Sequence, residues 1–508
     1  MKILLTSTKH LLLALTYGAL GTVIALLGVG IYLLNAQPEL SIWHTTSLSA
    51  QFRQSTPLTN FEQYLALEEM LFTEVDNKIY KRTQDMVNQP LNRYVRHSLS
   101  DPNQWSQDWN RSYEWSNPTA QFGVLLLHGM SDSPYSLSHF ANHFRPKAHV
   151  LGLRLPGHGT LPSGLVDLRW QDMAQAVTLA TRHLQQQLNG KPLYVVGFST
   201  GAALALNHEL EALSQDNPSS YAGLIFLSPA IGLTPVAAAA KWQSRLGQWL
   251  GLEKLSWNAV QTEYDPFKYN SFAVNAGDVV YQVAARNQVL LHQMTESQKR
   301  QLARVITFQS VADSTVSTVD VIAKLYLGLP AKEHQLFLFD INRLDVNLAL
   351  IVNDPIDAIK LLIDPSPLPY QLNLVQNQHY QDSFGQWQTS EQVEVARYQQ
   401  GLVEHEPLNI SWPTAVYSLS HVALPFPASD SLYGAKKRVS AQLRVQIGAV
   451  STKGERGVLG VPASEVLRQK WNPFFAYMLE RIDDYINTEQ QRLVEDPSML
   501  KAEHRLKH

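Results

Sequence analysis

The chain has 508 residues, 45% hydrophobic and 17% charged, with a formal net charge of -3 and no cysteine. This describes a globular chain with no electrostatic case for nucleic acid. It also excludes disulfides, a thiolate nucleophile and a Cys-ligated zinc.

The first element is apolar. Leu11 to Leu34 carries no charge, and at about 1.5 Å per residue it is long enough to cross a hydrocarbon core of about 30 Å. Lys2 and Lys9 precede it, and the next positive charge is Arg53. By the positive-inside rule, residues 1–10 stay in the cytoplasm and the rest of the chain lies outside it, at the end of an uncleaved single-pass anchor. A cleaved signal peptide fits less well, because Asn35-Ala36-Gln37-Pro38 makes a poor cleavage site.

Residues 35–120 read as a polar leader with one helix near Phe61–Met86, serving as a stalk or a wrap. Strand–loop–helix units begin at Phe122. Gly123–Leu127 is a strand followed by His128-Gly129-Met130, and Ser133-Pro134 opens a helix. Val150–Leu155 is a second strand, ending in Pro156-Gly157-His158-Gly159, and Gln171–Leu188 an amphipathic helix with Asn189-Gly190 as its stop. Leu193–Val196 and Leu224–Leu227 are further buried strands. Apolar strands alternating with helices predict a mostly parallel sheet covered on both faces.

Residues 233–294 interrupt the rhythm. Trp242, Leu246, Trp249, Leu250 and Leu252 fit an amphipathic helix, read as a helical lid over an apolar site or, more simply, as a crossover. Strands then return at Arg304–Gln309 and Gln335–Phe339. An irregular polar stretch is expected over Asn342–Pro413, a last strand over Thr414–Leu419, and a closing helix over Val466–Val494.

The chemistry centres on Gly197-Phe198-Ser199-Thr200-Gly201, between a strand and a small-residue helix. A serine on so sharp a turn holds strained backbone angles, and its neighbours must lack bulk for the chain to close. The turn lifts the Ser199 hydroxyl over the sheet edge at a helix N-terminus, where the N–H of Thr200 points at a developing oxyanion.

Together, LLLHGM (125–130), LPGHGT (155–160), GFSTG (197–201), an Asp after a strand at 313 and a His after a strand at 421 resemble the α/β-hydrolase superfamily. The branch most similar is that of the monoglyceride lipases, carboxylesterases and serine aminopeptidases. The resemblance covers about 120–480. It implies an α/β-hydrolase domain over 121–485, with 486–508 as a tail, and oxyanion donors at the N–H groups of Met130 and Thr200. It makes His128 and His158 bracing residues.

In the family's order of nucleophile, acid and base, the base follows the acid. Downstream of Asp313 stand His334, His379, His405 and His421. His334 precedes its strand, at the wrong edge of a parallel sheet, and His405 lies in a polar stretch. His379 follows strand-like Tyr370–Val375 and is the rival, but His421 is the expected base: it follows a more clearly apolar strand ending in Tyr417-Ser418-Leu419-Ser420, and its SHVALPF context resembles the family's His loop. Asp313 is the expected acid and Asp340 its alternative. The acid and base lie 421 − 313 = 108 residues apart, more than the family pattern has, so the sheet order before His421 is open.

The expected activity is a membrane-anchored serine hydrolase acting on a carboxylic ester or lipid-like acyl substrate. An acyltransferase, thioesterase or peptidase would use the same triad, and a catalytically silent envelope module is the reading from another class. The histidines are read as dispersed, without metal-ligand spacing, so neither metal nor cofactor is expected.

Overall fold

The computed structural model describes residues 2–35, 38–86, 88–232, 253–344, 354–363, 367–399, 401–414, 416–435 and 470–495. A first helix, Lys2–Asn35, takes in both the apolar run and the short end before it. Its stretch Leu12–Gly30 is apolar and long enough to cross a membrane, and none of it is buried in the protein.

Ten strands form one sheet: β1 (Tyr113–Trp115), β2 (Phe122–Leu127), β3 (Ala148–Leu153), β4 (Leu193–Phe198), β5 (Gly223–Leu227), β8 (Val305–Ser310), β9 (Gln335–Phe339), β10 (Gln371–Gln381), β11 (Trp387–Gln399) and β12 (Leu402–Ser411). Two short strands, β6 (Trp257–Ala259) and β7 (Phe272–Ala273), pair separately. The order across the large sheet is β1-β3-β2-β4-β5-β8-β9-β10-β11-β12. From β3 to β10 every neighbour is parallel. β1 at one edge and β11 and β12 at the other are antiparallel.

The apolar runs explain the core strands. Side chains alternate between faces, so a run such as Phe122–Leu127 can be buried throughout only if both faces are covered. Leu125, Leu127 and Val195 pack under helices Trp170–Leu188, Thr200–Ser214 and Val274–Gln293. Val124, Leu126 and Val196 face helices Ser138–Phe144 and Phe475–Glu495. Helix Phe475–Glu495 runs through the expected tail boundary at 485.

The leader wraps the domain. Phe52, Phe61 and Tyr64 join the main core. Glu68, on helix Phe61–Lys78, pairs with buried Arg154 at 2.8 Å, and its carboxylate also accepts the N–H and hydroxyl of Ser112. Arg154 in turn donates to the carbonyl of His158 at 3.0 Å. The leader thus holds the Pro156–Gly159 loop in place through Glu68 and Arg154. Glu68→Ala leaves a buried guanidinium without its counter-ion and is expected to cost about 3–5 kcal/mol, read as a lowered unfolding midpoint. A loss below 1 kcal/mol would contradict the pairing's structural role.

Three expectations need correction. Among the described residues, Asn342–Pro413 carries a helix, Pro355–Ile363, and the sheet extension β10–β12, where an irregular stretch is expected. Beyond Asn377, β10 leaves the core; β11 enters it only at Val393, Val395 and Ala396, and β12 only flanks it, so polar residues interrupt both faces and weaken the alternation that marks a strand in sequence. Among the described residues of 414–419 there is no strand. Val416 and Leu419 are buried in the core, but the backbone there is captured by Asn342, whose N–H donates to Tyr417 O at 2.7 Å and whose side-chain amide reaches Val416 O. Lastly, Val274–Gln293 packs on helix Thr200–Ser214, with Asn287 bonded to Asn207 and to Ala203 O. It is a crossover helix on the sheet. The Trp and Leu positions 242–252 lie outside the described residues.

Candidate active site

β4 delivers its last side chain into a turn. Ser199 has φ 54° and ψ -113°, and it caps helix Thr200–Ser214. A non-glycine residue is strained at such angles. The turn is held by the Ser199 N–H donating to Leu227 O at 2.9 Å and by the Ser199 carbonyl accepting from Ala230 and Ala203. Ser131 after β2 and Ser228 after β5 also have positive φ, so strain gathers along the C-terminal edge of three neighbouring strands. The glycines are required sterically. A Cβ on Gly201 would run into the carbonyls of Leu127 and His128, and one on Gly197 into the backbone of Ala202.

The missing bulk at Gly201 lets the helix N-terminus close onto the loop after β2, which carries Met130. Thr200 is fully buried at the first helical position, where N–H groups have no intrahelical acceptor. Met130 is half-buried against the core. Its loop is fixed from the segment between β6 and β7: Tyr269 N–H donates to Ser131 O at 2.8 Å, and Lys268 pairs with Asp132 at 2.5 Å. The two N–H groups expected as oxyanion donors therefore sit on adjoining, braced backbone.

His421 and Asp313 meet although 108 residues separate them. His421 Nδ1 lies 2.8 Å from Asp313 Oδ2, and both side chains are buried. Asp313 follows β8 and is held by four groups. Its Oδ1 accepts the N–H groups of Thr315 and Val316 at 2.9 and 3.1 Å, and its Oδ2 accepts Gln309 Nε2 at 3.1 Å besides facing the imidazole. His421 opens a short 3-10 turn, His421–Ala423. The ring of Phe198, the residue before Ser199, packs on the imidazole with centroids 5.1 Å apart. Ser199 itself is buried, with 8% of its surface exposed.

The rival residues are placed elsewhere. His379 lies within β10, exposed, beside Thr389. His405 is exposed and pairs with Glu394. His334 is buried at the opposite edge, accepting the N–H of Val305. Asp340 is engaged by Arg343 through both oxygens. His128 donates from Nδ1 to Gly129 O and accepts the Leu155 N–H at Nε2, while His158 bonds to Pro156 O. Burial drives His158 down to about 4 and His128 well below its ordinary value, helped by the neighbouring His158. Both are neutral braces near pH 7.

Two features escape the sequence reading. Gln309 supports the acid, and its signal is a buried amide ending an apolar strand four residues before Asp313. His139 and His143 stand four apart on one helix, a spacing passed over above. Each faces a carboxylate, Asp430 at 2.6 Å and Asp483 at 2.9 Å. Among the described residues no group of three or more His, Cys, Asp or Glu is placed to hold a metal ion.

Residues 124–326 match the family model described as "Alpha/beta hydrolase family", and the chain contains a domain of that superfamily. No curated protein matches the chain in sequence. Among solved structures, metagenome-derived lipolytic enzymes (LipS and LipT) are 21% identical, covering 45% of this chain and 87% of that one, with a TM-score of 0.35. A monoacylglycerol lipase of Paleococcus ferrophilus is 16% identical over 45% of this chain and 88% of its own, TM-score 0.35. Est1E of Butyrivibrio proteoclasticus, bound to ferulic acid, is 15% identical over 50% and 94%, TM-score 0.31.

Proposed function

We propose that this α/β-hydrolase domain is a serine hydrolase in which Ser199 is the nucleophile, His421 the base and Asp313 the residue that orients the base. The observation that carries it is the buried His421–Asp313 pair, seated against Phe198 beside the strained Ser199 turn. A serine hydroxyl is a weak nucleophile until a base takes its proton. Asp313, bonded at Nδ1, fixes the tautomer whose unprotonated Nε2 acts as that base. Ser199 Oγ attacks an acyl carbonyl, the proton passes to His421, and the N–H groups of Thr200 and Met130 take the charge on the carbonyl oxygen. His421 then protonates the departing alkoxide. Water, deprotonated by His421, attacks the acyl-serine and releases the acid. The substrate class is a carboxylic ester or an acyl lipid, and no step draws on a cofactor.

The helix over Leu12–Gly30 anchors the enzyme, and Lys2 and Lys9 place the catalytic domain on the non-cytoplasmic side. A fluorophosphonate probe, which phosphonylates activated serines, is expected to label the full-length protein at Ser199 and to leave Ser199→Ala unlabelled. An unlabelled wild type, folded by its unfolding midpoint, would point to a silent module instead.

A further inference from the structure

β10 pairs with β9 only as far as Val375, opposite Phe339, yet continues to Gln381. At about 3.3 Å per residue, those six further residues carry the β10–β11 hairpin about 20 Å past the end of β9. β10 runs parallel to β4 and β8, so the hairpin overhangs the edge on which Ser199 and Asp313 lie. Its tip carries Tyr380, Phe384 and Trp387, which are 52%, 87% and 70% exposed. The turn between them is ordered: Asp382 accepts the N–H groups of Phe384 and Gln386, and its own N–H donates to Gln386 O. Gly385, at φ 77°, completes it. The protein thus holds three aromatic rings out into solvent on a shaped support.

The anchor enters on the same edge. The first helix ends at Asn35, and Leu40 already packs on the core. The four residues between, five Cα–Cα steps, span at most about 18 Å. His44 then bonds to Ser271 at 2.9 Å and packs edge-on against Trp257, while Thr46 O accepts the hydroxyl of Ser163. Ser271 and Trp257 belong to the excursion that leaves the C-terminal end of β5, and Ser163 to the one that leaves β3. In sheet order, Ser199 on β4 lies between the β3 loop and β10. The hairpin is four strand spacings from β4, about 19 Å.

We propose that the tip of the β10–β11 hairpin is a second membrane contact, which with the anchor seats the catalytic edge of the sheet on the bilayer. This rests on reading the first helix as membrane-spanning. Aromatic side chains favour the headgroup region, where an apolar ring and a polar rim are both accommodated. With contacts on both sides of Ser199, the site opens toward lipid. The acyl substrate it meets is therefore one resident in the membrane, in preference to a soluble ester.

The absence of cysteine makes a clean test. Phe384→Cys, Leu20→Cys and Gln187→Cys would each be labelled with an environment-sensitive fluorophore in the full-length chain, in vesicles of phosphatidylcholine and phosphatidylglycerol. Leu20 lies in the anchor, and exposed Gln187 ends a helix at the opposite edge of the sheet. The label at 384 is expected to emit blue-shifted and to be quenched by doxyl lipids, as at 20 and unlike 187. Quenching at 20 with a water-like label at 384 overturns the proposal and leaves the anchor standing. No quenching at 20 removes its premise. Disulfide cross-linking of Phe384→Cys between copies, without lipid quenching, would assign the tip to a second copy of the chain.

Discussion

His421→Ala is expected to lower kcat/KM on a short nitrophenyl ester by about a million-fold, with Ser199→Ala equally damaging and the double variant no worse. The equality follows from the chemistry. Without the imidazole the serine keeps its proton, and without the serine the imidazole has nothing to activate, so either loss removes the same step. What survives is binding and the backbone donors of the oxyanion site. Activity within a hundredfold of wild type in His421→Ala would sink the assignment and turn attention to another base. His379 is a poor substitute, since it is exposed on β10 and bonded to Thr389.

Asp313→Asn is expected to reduce kcat by about ten-thousandfold, the size of effect that follows when a triad imidazole loses its carboxylate. The amide keeps one oxygen, which can go on accepting the N–H groups of Thr315 and Val316, so the loop after β8 has reason to keep its shape. The amide nitrogen then faces His421 Nδ1, and a donor there favours the tautomer with its proton on Nε2, where it cannot take one from Ser199. The unfolding midpoint should stay near that of wild type while the rate collapses. Turnover within tenfold of wild type would show that something other than Asp313 orients the base. Asp340 is already committed to Arg343.

The site was legible where its signal is local. Gly197 and Gly201 sit where backbones touch, and such a requirement is written into a pentapeptide. The strands β2, β4, β5 and β8 are buried on both faces, so each shows as a short apolar run. The bracing role of His128 and His158, implied by resemblance, fits two buried neutral rings whose polar contacts are with backbone groups of the loops after β2 and β3, His128 tying one to the other. The failures lie where burial is one-sided or remote. The end of β10 and the first half of β11 project from the core and β12 only flanks it, so their polar positions resemble loop. The predicted strand over 414–419 has the composition of a strand, but the side chain and N–H of Asn342 take its backbone partners. Glu68 gave no sign of its importance, because its partner Arg154 lies in another segment.

The sequence by itself determined the strained serine, the order of the candidate acid and base, the apolar first helix and the parallel core, all of which depend on contacts or periodicities within a few residues. Only the tertiary structure decided that His421 and not His379 meets Asp313, and that the long polar excursion between acid and base widens the sheet. It alone decided that the leader buttresses a loop beside the site. Those outcomes depend on which distant backbone groups satisfy each other once buried. A hydrogen bond across 108 residues, such as that of His421 to Asp313, has no periodicity from which it can be read.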